Sequence, residues 1–188
     1  AGKAESACEN YPSAFAGIAC RKFSRKKTAQ SGCNSQTHGA SLRTRMKYYL
    51  DTNIFLRFLI ADEARAHGAC QELFHLIQTH HIKAMTSPLV FAEVVWVLGS
   101  FYKFPRSKIS DALAVLARSP ITFDSRCDLL AAIEWYAARP VKFADALIAS
   151  HPLLRRKKLT LISYDKDFDR LGVKRMEPQE VIDRMEKK

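Results

Sequence analysis

Four carboxylates stand where an acid needs a reason. Asp51 separates the short strand candidate Lys47–Leu50 from the helix-forming segment Ile54–Ile60. Glu93 lies inside PLVFAEVVWVL, with Leu89, Val90, Trp96 and Val97 as its helical neighbours, and none of these can pair with a carboxylate. Asp145 is set in KFADALIAS among Phe143, Leu147 and Ile148, and Asp165 follows the strand candidate LTLIS. Burying an unpaired carboxylate is costly, and like charges gathered together raise one another's pKa values. A divalent cation resolves that conflict. Oxygen-only donors suit Mg²⁺ or Mn²⁺ and not zinc. Such an ion activates a water and stabilises charge on a phosphate, which points to phosphodiester hydrolysis. The same four acids also suit unrelated cap and turn positions, which Asp commonly occupies.

The elements around these residues would bring them together. Each strand candidate ends near a helix start: Lys47–Leu50, Ile82–Thr86, Ile121–Phe123, Leu159–Ser163 and an edge strand Val173–Met176. Helices are predicted over Asp62–His81, Pro88–Leu98, Ser107–Arg118, Ser125–Ala138, Lys142–Ser150 and Pro178–Met185. Ser87-Pro88 supplies an N-cap followed by proline at the first helical position. The Pro88–Leu98 helix is apolar nearly all round, so burial is expected. In Ser125–Ala138 the residues expected to face inward are Leu129, Leu130, Ile133 and Tyr136 or Ala137. Alternating strands and helices imply an α/β fold with three layers, helices covering both faces of a central parallel sheet. Right-handed crossovers then place the strand ends, and the four acids, on one edge.

Composition bounds the partners. The net charge is +11, and 22 basic against 17 acidic residues remain after Arg45, a net +5. Such a surface favours a polyanion such as nucleic acid. No apolar run approaches the roughly 18 residues that span a membrane. Five scattered cysteines without a CxxC pair argue against a disulfide framework or a zinc site and fit a reduced, cytoplasmic compartment. His67, His75, His80 and His81 form no ligand pattern and read as surface residues. Ala1–Arg45 lacks periodicity and is rich in Ala, Ser and basic residues. It reads as a disordered extension, or as sequence upstream of a natural start at Met46.

Met46–Met176 resembles a PIN domain, in particular the ribonuclease toxins of VapBC toxin–antitoxin modules. The resemblance rests on YYLDTNIFLRFL, SPLVFAEVVWVL, FADALIA and SYDKDFDRL, four pieces in family order. It covers essentially the whole chain after Met46, with no counterpart for the extension. It implies a Mg²⁺- or Mn²⁺-dependent endoribonuclease that leaves a 5′-phosphate and a 3′-hydroxyl. By position it implies Asp51, Glu93, Asp145 and Asp165 as catalytic, metal-holding acids, supported by Asn53 and by Ser163, where the family more often has Thr. Asp167 is an alternative to Asp165, and Asp169 is expected at the surface. The resemblance also implies a homodimer and a small antitoxin protein lying across the acidic site, with the N-terminal helices Asn53–His81 as docking surface. A non-catalytic RNA-binding or antitoxin-binding module is the rival reading, and four intact acids argue against it. A HAD-type phosphatase is disfavoured because Asp51 is followed by Thr52-Asn53.

Overall fold

The computed structural model describes residues 47–187, so the extension Ala1–Arg45 lies outside the described residues. The elements run β1 (Lys47–Leu50), α1 (Thr52–Leu59), α2 (Ala64–Gln78), β2 (Lys83–Thr86), α3 (Pro88–Ser100), α4 (Arg106–Ala117), β3 (Ile121–Phe123) and α5 (Leu129–Ala138). They continue with α6 (Phe143–Ala149), α7 (Pro152–Arg155), β4 (Thr160–Ile162), α8 (Asp167–Arg170), β5 (Arg175–Met176) and α9 (Pro178–Glu186). The five strands are all parallel, in the order β3-β2-β1-β4-β5. Helices flank the sheet, as the alternating pattern predicts. The strand order reverses between β1 and β4, where Tyr49 is in register with Leu161 and Leu50 with Ile162. A crevice outside the carboxyl ends of strands at such a reversal is the usual ligand site of an open α/β sheet.

Local chemistry explains the joints at that edge. Asp51 adopts an extended conformation, and its carboxylate accepts from the Thr52 amide, so the last residue before α1 is also its N-cap. Ser87 caps α3 by accepting from the Val90 amide, with Pro88 in the first turn. Thr86 Oγ1 donates to the Leu50 carbonyl at 3.0 Å, locking the ends of β1 and β2 together. Two short helices, α7 and α8, lie in segments that carry no sequence-level helix signal. Gly172, at φ +71°, follows α8 in a conformation that suits glycine and turns the chain into β5.

Two expectations about helix faces are corrected. Helix α3 is not buried all round: Val90, Val94 and Leu98 face the core, whereas Trp96 is 67% exposed. In α5 the large apolar residues Leu129, Leu130, Ile133 and Tyr136 face solvent, and the small Ala131 and Ala132 are buried instead. Alanines let α5 approach α6 closely, which turns the bulkier stripe outward. The N-terminal helices offer less apolar surface than expected. Ile54, Phe55, Phe58 and Leu59 of α1 and Leu73, Phe74 and Ile77 of α2 are all buried. Phe58 and Phe74 stack there at 4.1 Å between ring centroids.

The histidines divide. His75, His80 and His81 are exposed and His67 is half-buried against the Arg57 carbonyl. His151, by contrast, is buried, with Nδ1 accepting from the Leu153 amide and Nε2 3.3 Å from the Asp124 carboxylate. Cys70 and Cys127 are both free thiols.

This packing separates core from surface aromatics. Phe74→Ala should cost roughly 3–5 kcal/mol, the range for removing a fully buried phenylalanine. Trp96→Ala should change monomer stability little, because its ring is largely exposed. Urea unfolding of the two variants at low protein concentration checks both.

Candidate active site

Three hydrogen bonds tether the Asp51 side chain at the sheet edge. Its Oδ1 accepts from the Thr52 amide at 2.7 Å. Its Oδ2 accepts from Asn53 Nδ2 and from Ser163 Oγ, each at 2.7 Å. Ser163 Oγ in turn accepts from Asn53 Nδ2 and from the Asp165 amide, each at 2.9 Å. Asn53 Oδ1 accepts from the Tyr164 amide at 3.2 Å. These bonds tie the β1–α1 joint to the segment after β4. The Asn53 and Ser163 side chains thus hold the first acid and the last acid's backbone in one frame.

The other acids approach from separate elements. Glu93 projects from the second turn of α3 and accepts from Thr52 Oγ1 at 2.7 Å. The partner that α3 itself could not offer is therefore supplied by α1. Asp145 lies in the first turn of α6, where the helix dipole favours negative charge. It is 5% exposed, and its Oδ2 is buried with no hydrogen-bond partner. Asp165 accepts from the Asp167 amide at 2.9 Å and from Lys142 Nζ at 3.3 Å.

One oxygen each from Asp145, Asp165 and Asp167 falls within 4.8 Å of the others, close enough to share a cation. Asp167 thus joins Asp165 rather than replacing it. Asp51 and Glu93 stand outside that tight trio but feel it electrostatically. Burial pushes the Asp51 carboxyl up to about 7, with the charges of Asp145 and Glu93 adding to the rise against its hydrogen bonds. Burial also pushes the Asp145 carboxyl up to about 6; Lys142 opposes the rise, and Asp165, Glu93 and Asp167 add to it. Asp169 is exposed and paired with Arg175, in keeping with its surface assignment.

Lys142 and Thr52 are the participants that sequence reasoning missed. Lys142 carried a signal, since it lies three residues before Asp145 on the same chain segment. The Thr52 hydroxyl carried none, because its acid partner lies 41 residues away.

A buried, unpartnered carboxylate oxygen among other acids is the donor set that a hard divalent cation completes. The sequence from Tyr48 to Lys174 matches the PIN domain family model. The chain belongs to the PIN-domain family.

Solved structures with this fold include VapC20 of Mycobacterium tuberculosis, a sarcin–ricin loop cleaving toxin. It is 23% identical, with 67% of this chain and 95% of that one covered and a TM-score of 0.53. PAE2754 of Pyrobaculum aerophilum is 16% identical over 76% of this chain and 97% of its own, with a TM-score of 0.55. VapBC2 of Rickettsia felis, solved bound to a fragment of promoter DNA, is 21% identical over 70% and 98%, with a TM-score of 0.51. At these identities the likeness is one of fold. No curated protein matches the chain.

The raised carboxyls fix the sign of a pH effect. Folded, Asp51 and Asp145 hold protons that the unfolded chain has released, so their ionisation opposes folding. Their contribution is fully present below the ordinary value of 3.8 and is lost as pH rises through about 6 and about 7. Without divalent cations, Asp145→Asn should therefore gain stability over the unmodified chain, and the gain should widen from about pH 4 to pH 7. Asp51→Asn should not show the same benefit. Either orientation of its amide would set an N–H against the donors Thr52 N or Asn53 Nδ2. Thermal unfolding in EDTA across that range compares the two.

Proposed function

We propose that this PIN-domain chain is a metal-dependent endoribonuclease and the toxin of a toxin–antitoxin pair. The observation that carries the reading is the buried, unpartnered Oδ2 of Asp145 facing a cluster of further carboxylates on a strongly basic chain. Asp51, Glu93, Asp145 and Asp165, joined by Asp167, would hold Mg²⁺ or Mn²⁺. When bound, the ion supplies an activated water and charge stabilisation at the phosphate. Ser163 and Asn53 orient Asp51 by donating to Oδ2, and Thr52 aims Glu93. Lys142 offsets negative charge at Asp165 and is well placed to meet a phosphate oxygen. Hydrolysis would leave a 5′-phosphate and a 3′-hydroxyl.

An RNA substrate and a small antitoxin partner follow by analogy with the toxins that share the fold. RNA cleavage would place the chain in the cytoplasm. Among the described residues no helix is long and apolar enough to cross a membrane. The outward apolar residues of α3 and α5, Trp96, Leu129, Leu130 and Ile133, support a homodimer, since exposed apolar side chains grouped on a helix face mark interaction surfaces.

Two experiments test this. The full chain should cleave RNA with Mn²⁺ or Mg²⁺, and Asp145→Asn should lower the rate by at least ~10²-fold, since several kcal/mol of charge stabilisation would be lost. Undiminished cleavage in EDTA, or by Asp145→Asn, would overturn the reading. For the dimer, Leu130→Asp and Trp96→Lys should each yield a folded monomer by light scattering while the parent chain runs as a dimer. A parent chain that is monomeric at micromolar concentration would remove the homodimer.

A further inference from the structure

Beside the carboxylates lies an open pocket of about 640 Å³ that the hydrolytic reading leaves unused. That volume is within the roughly 300–1,000 Å³ that small-molecule sites occupy. Its wall includes Tyr136, Arg139, Lys142, Phe143 and Asp167. Asp167 also belongs to the acidic trio and Lys142 donates to Asp165, so pocket and acidic site share a wall.

The lining combines two kinds of group. Tyr136, in the last turn of α5, and Phe143, at the start of α6, meet edge to face at 5.5 Å between centroids and 71° between planes. Both remain exposed, at 54% and 37%. The turn between them contributes two cations. Arg139 is held in place, with Nη1 donating to the Arg170 carbonyl at 2.8 Å and its guanidinium over the Trp135 ring at 5.8 Å. Lys142 is tethered only by its bond to Asp165 and has a 67% exposed side chain. The one acid on the wall, Asp167, is paired with Arg170 at 3.0 Å.

Exposed aromatic rings beside two cations match a nucleotide. The π-face of a base stacks on an aromatic ring, and its phosphate meets Arg or Lys. A base inside a duplex has both faces occupied by its neighbours, so only an unstacked base can use such a platform. We propose that this pocket takes one unpaired nucleotide of a single-stranded RNA. Its base lies against Tyr136 and Phe143 and its phosphate against Arg139 and Lys142, adjacent to the phosphodiester cut at the carboxylates. This rests on the ribonuclease reading and adds a subsite to it, one with weak preference among bases, because stacking is tolerant of base identity.

Tyr136 lies on the same face of α5 as Leu129, Leu130 and Ile133, so a second copy of the chain is the competing occupant. The charge around the pocket favours RNA. Covering Arg139 and Lys142 with an apolar helix would desolvate two cations without pairing them.

The test uses the full chain. Binding of a fluorescent eight-nucleotide single-stranded RNA is measured by anisotropy in an Asp145→Asn background, and KM and kcat are measured with Mn²⁺ in the intact background. Tyr136→Ala and Phe143→Ala should each weaken single-strand binding about tenfold and raise KM, with kcat little changed. Tyr136→Trp should retain binding and Tyr136→Leu should not, while a duplex of the same sequence should bind independently of Tyr136. Light scattering and thermal unfolding should show unchanged assembly and folding in all four. If Tyr136→Leu binds as the parent does, or Tyr136→Ala keeps the parent KM while the parent cleaves RNA, the subsite is overturned alone. If affinity falls only together with loss of the dimer, the ring belongs beneath a second copy and the subsite is again overturned. A parent chain that neither binds nor cleaves RNA overturns the ribonuclease reading and the subsite with it.

Discussion

The site depends on three donors converging on one carboxylate. The Thr52 amide, the Asn53 side-chain amide and the Ser163 hydroxyl all point at Asp51, which is 4% exposed. They make its burial tolerable, since charged acceptors gain most from hydrogen bonds in a low-dielectric surround. They also fix geometry. Ser163 lies at the end of β4 and Asp51 at the end of β1, so the bond between them closes the seam where strand order reverses. The Ser163 hydroxyl then accepts from the Asp165 amide, and the Asp165 carboxylate accepts from the Asp167 amide. The positions of the last two acids are thus transmitted through a chain of hydrogen bonds that begins at the first. Removing one donor would loosen the whole edge as well as one residue.

The same arrangement works against stability. Hydrogen bonding lowers the Asp51 carboxyl and burial raises it, and burial with neighbouring charge wins, leaving it near 7. The fold accepts this where it could have placed a neutral residue. Asp145 states the conflict more plainly, because an oxygen with no donor at all contributes nothing to the metal-free fold. Buried charge retained at a cost to folding is the usual form of the trade between activity and stability.

Much of this was legible in the chain. Strand ends marked Asp51 and Asp165, and apolar surroundings marked Glu93 and Asp145 as needing partners. Asn53 and Ser163 entered through the family resemblance and turn out to be hydrogen-bonded to Asp51. What could not be read was direction. A stripe such as Leu129, Leu130, Ile133 and Tyr136 shows that one side of a helix is apolar. Which side meets the sheet is decided by the closeness of packing that Ala131 and Ala132 permit, which is a tertiary property. Likewise the choice between Asp165 and Asp167 assumed that only one could reach the site. The short helix α8, whose first residue is Asp167, brings both into it, and a four-residue turn of helix has too little periodicity to be seen.

Lys142 shows how a site can be neutral enough to fold and still open to a ligand. An arginine buried among the acids would pair with them through a rigid fork and exclude a cation by charge and by volume. Lysine brings a compact charge on a flexible stem, here largely in solvent and joined to the acids by one bond of 3.3 Å. It lowers the Asp145 carboxyl without donating to its free oxygen. Moving such a head group aside costs little, because exposed ion pairs contribute only modestly to stability. On the metal-dependent reading proposed above, the acids would exchange this internal counter-charge for an external one, and the freed ammonium would remain on the rim between the carboxylates and the aromatic pocket, where a phosphate backbone crossing from one to the other would meet it.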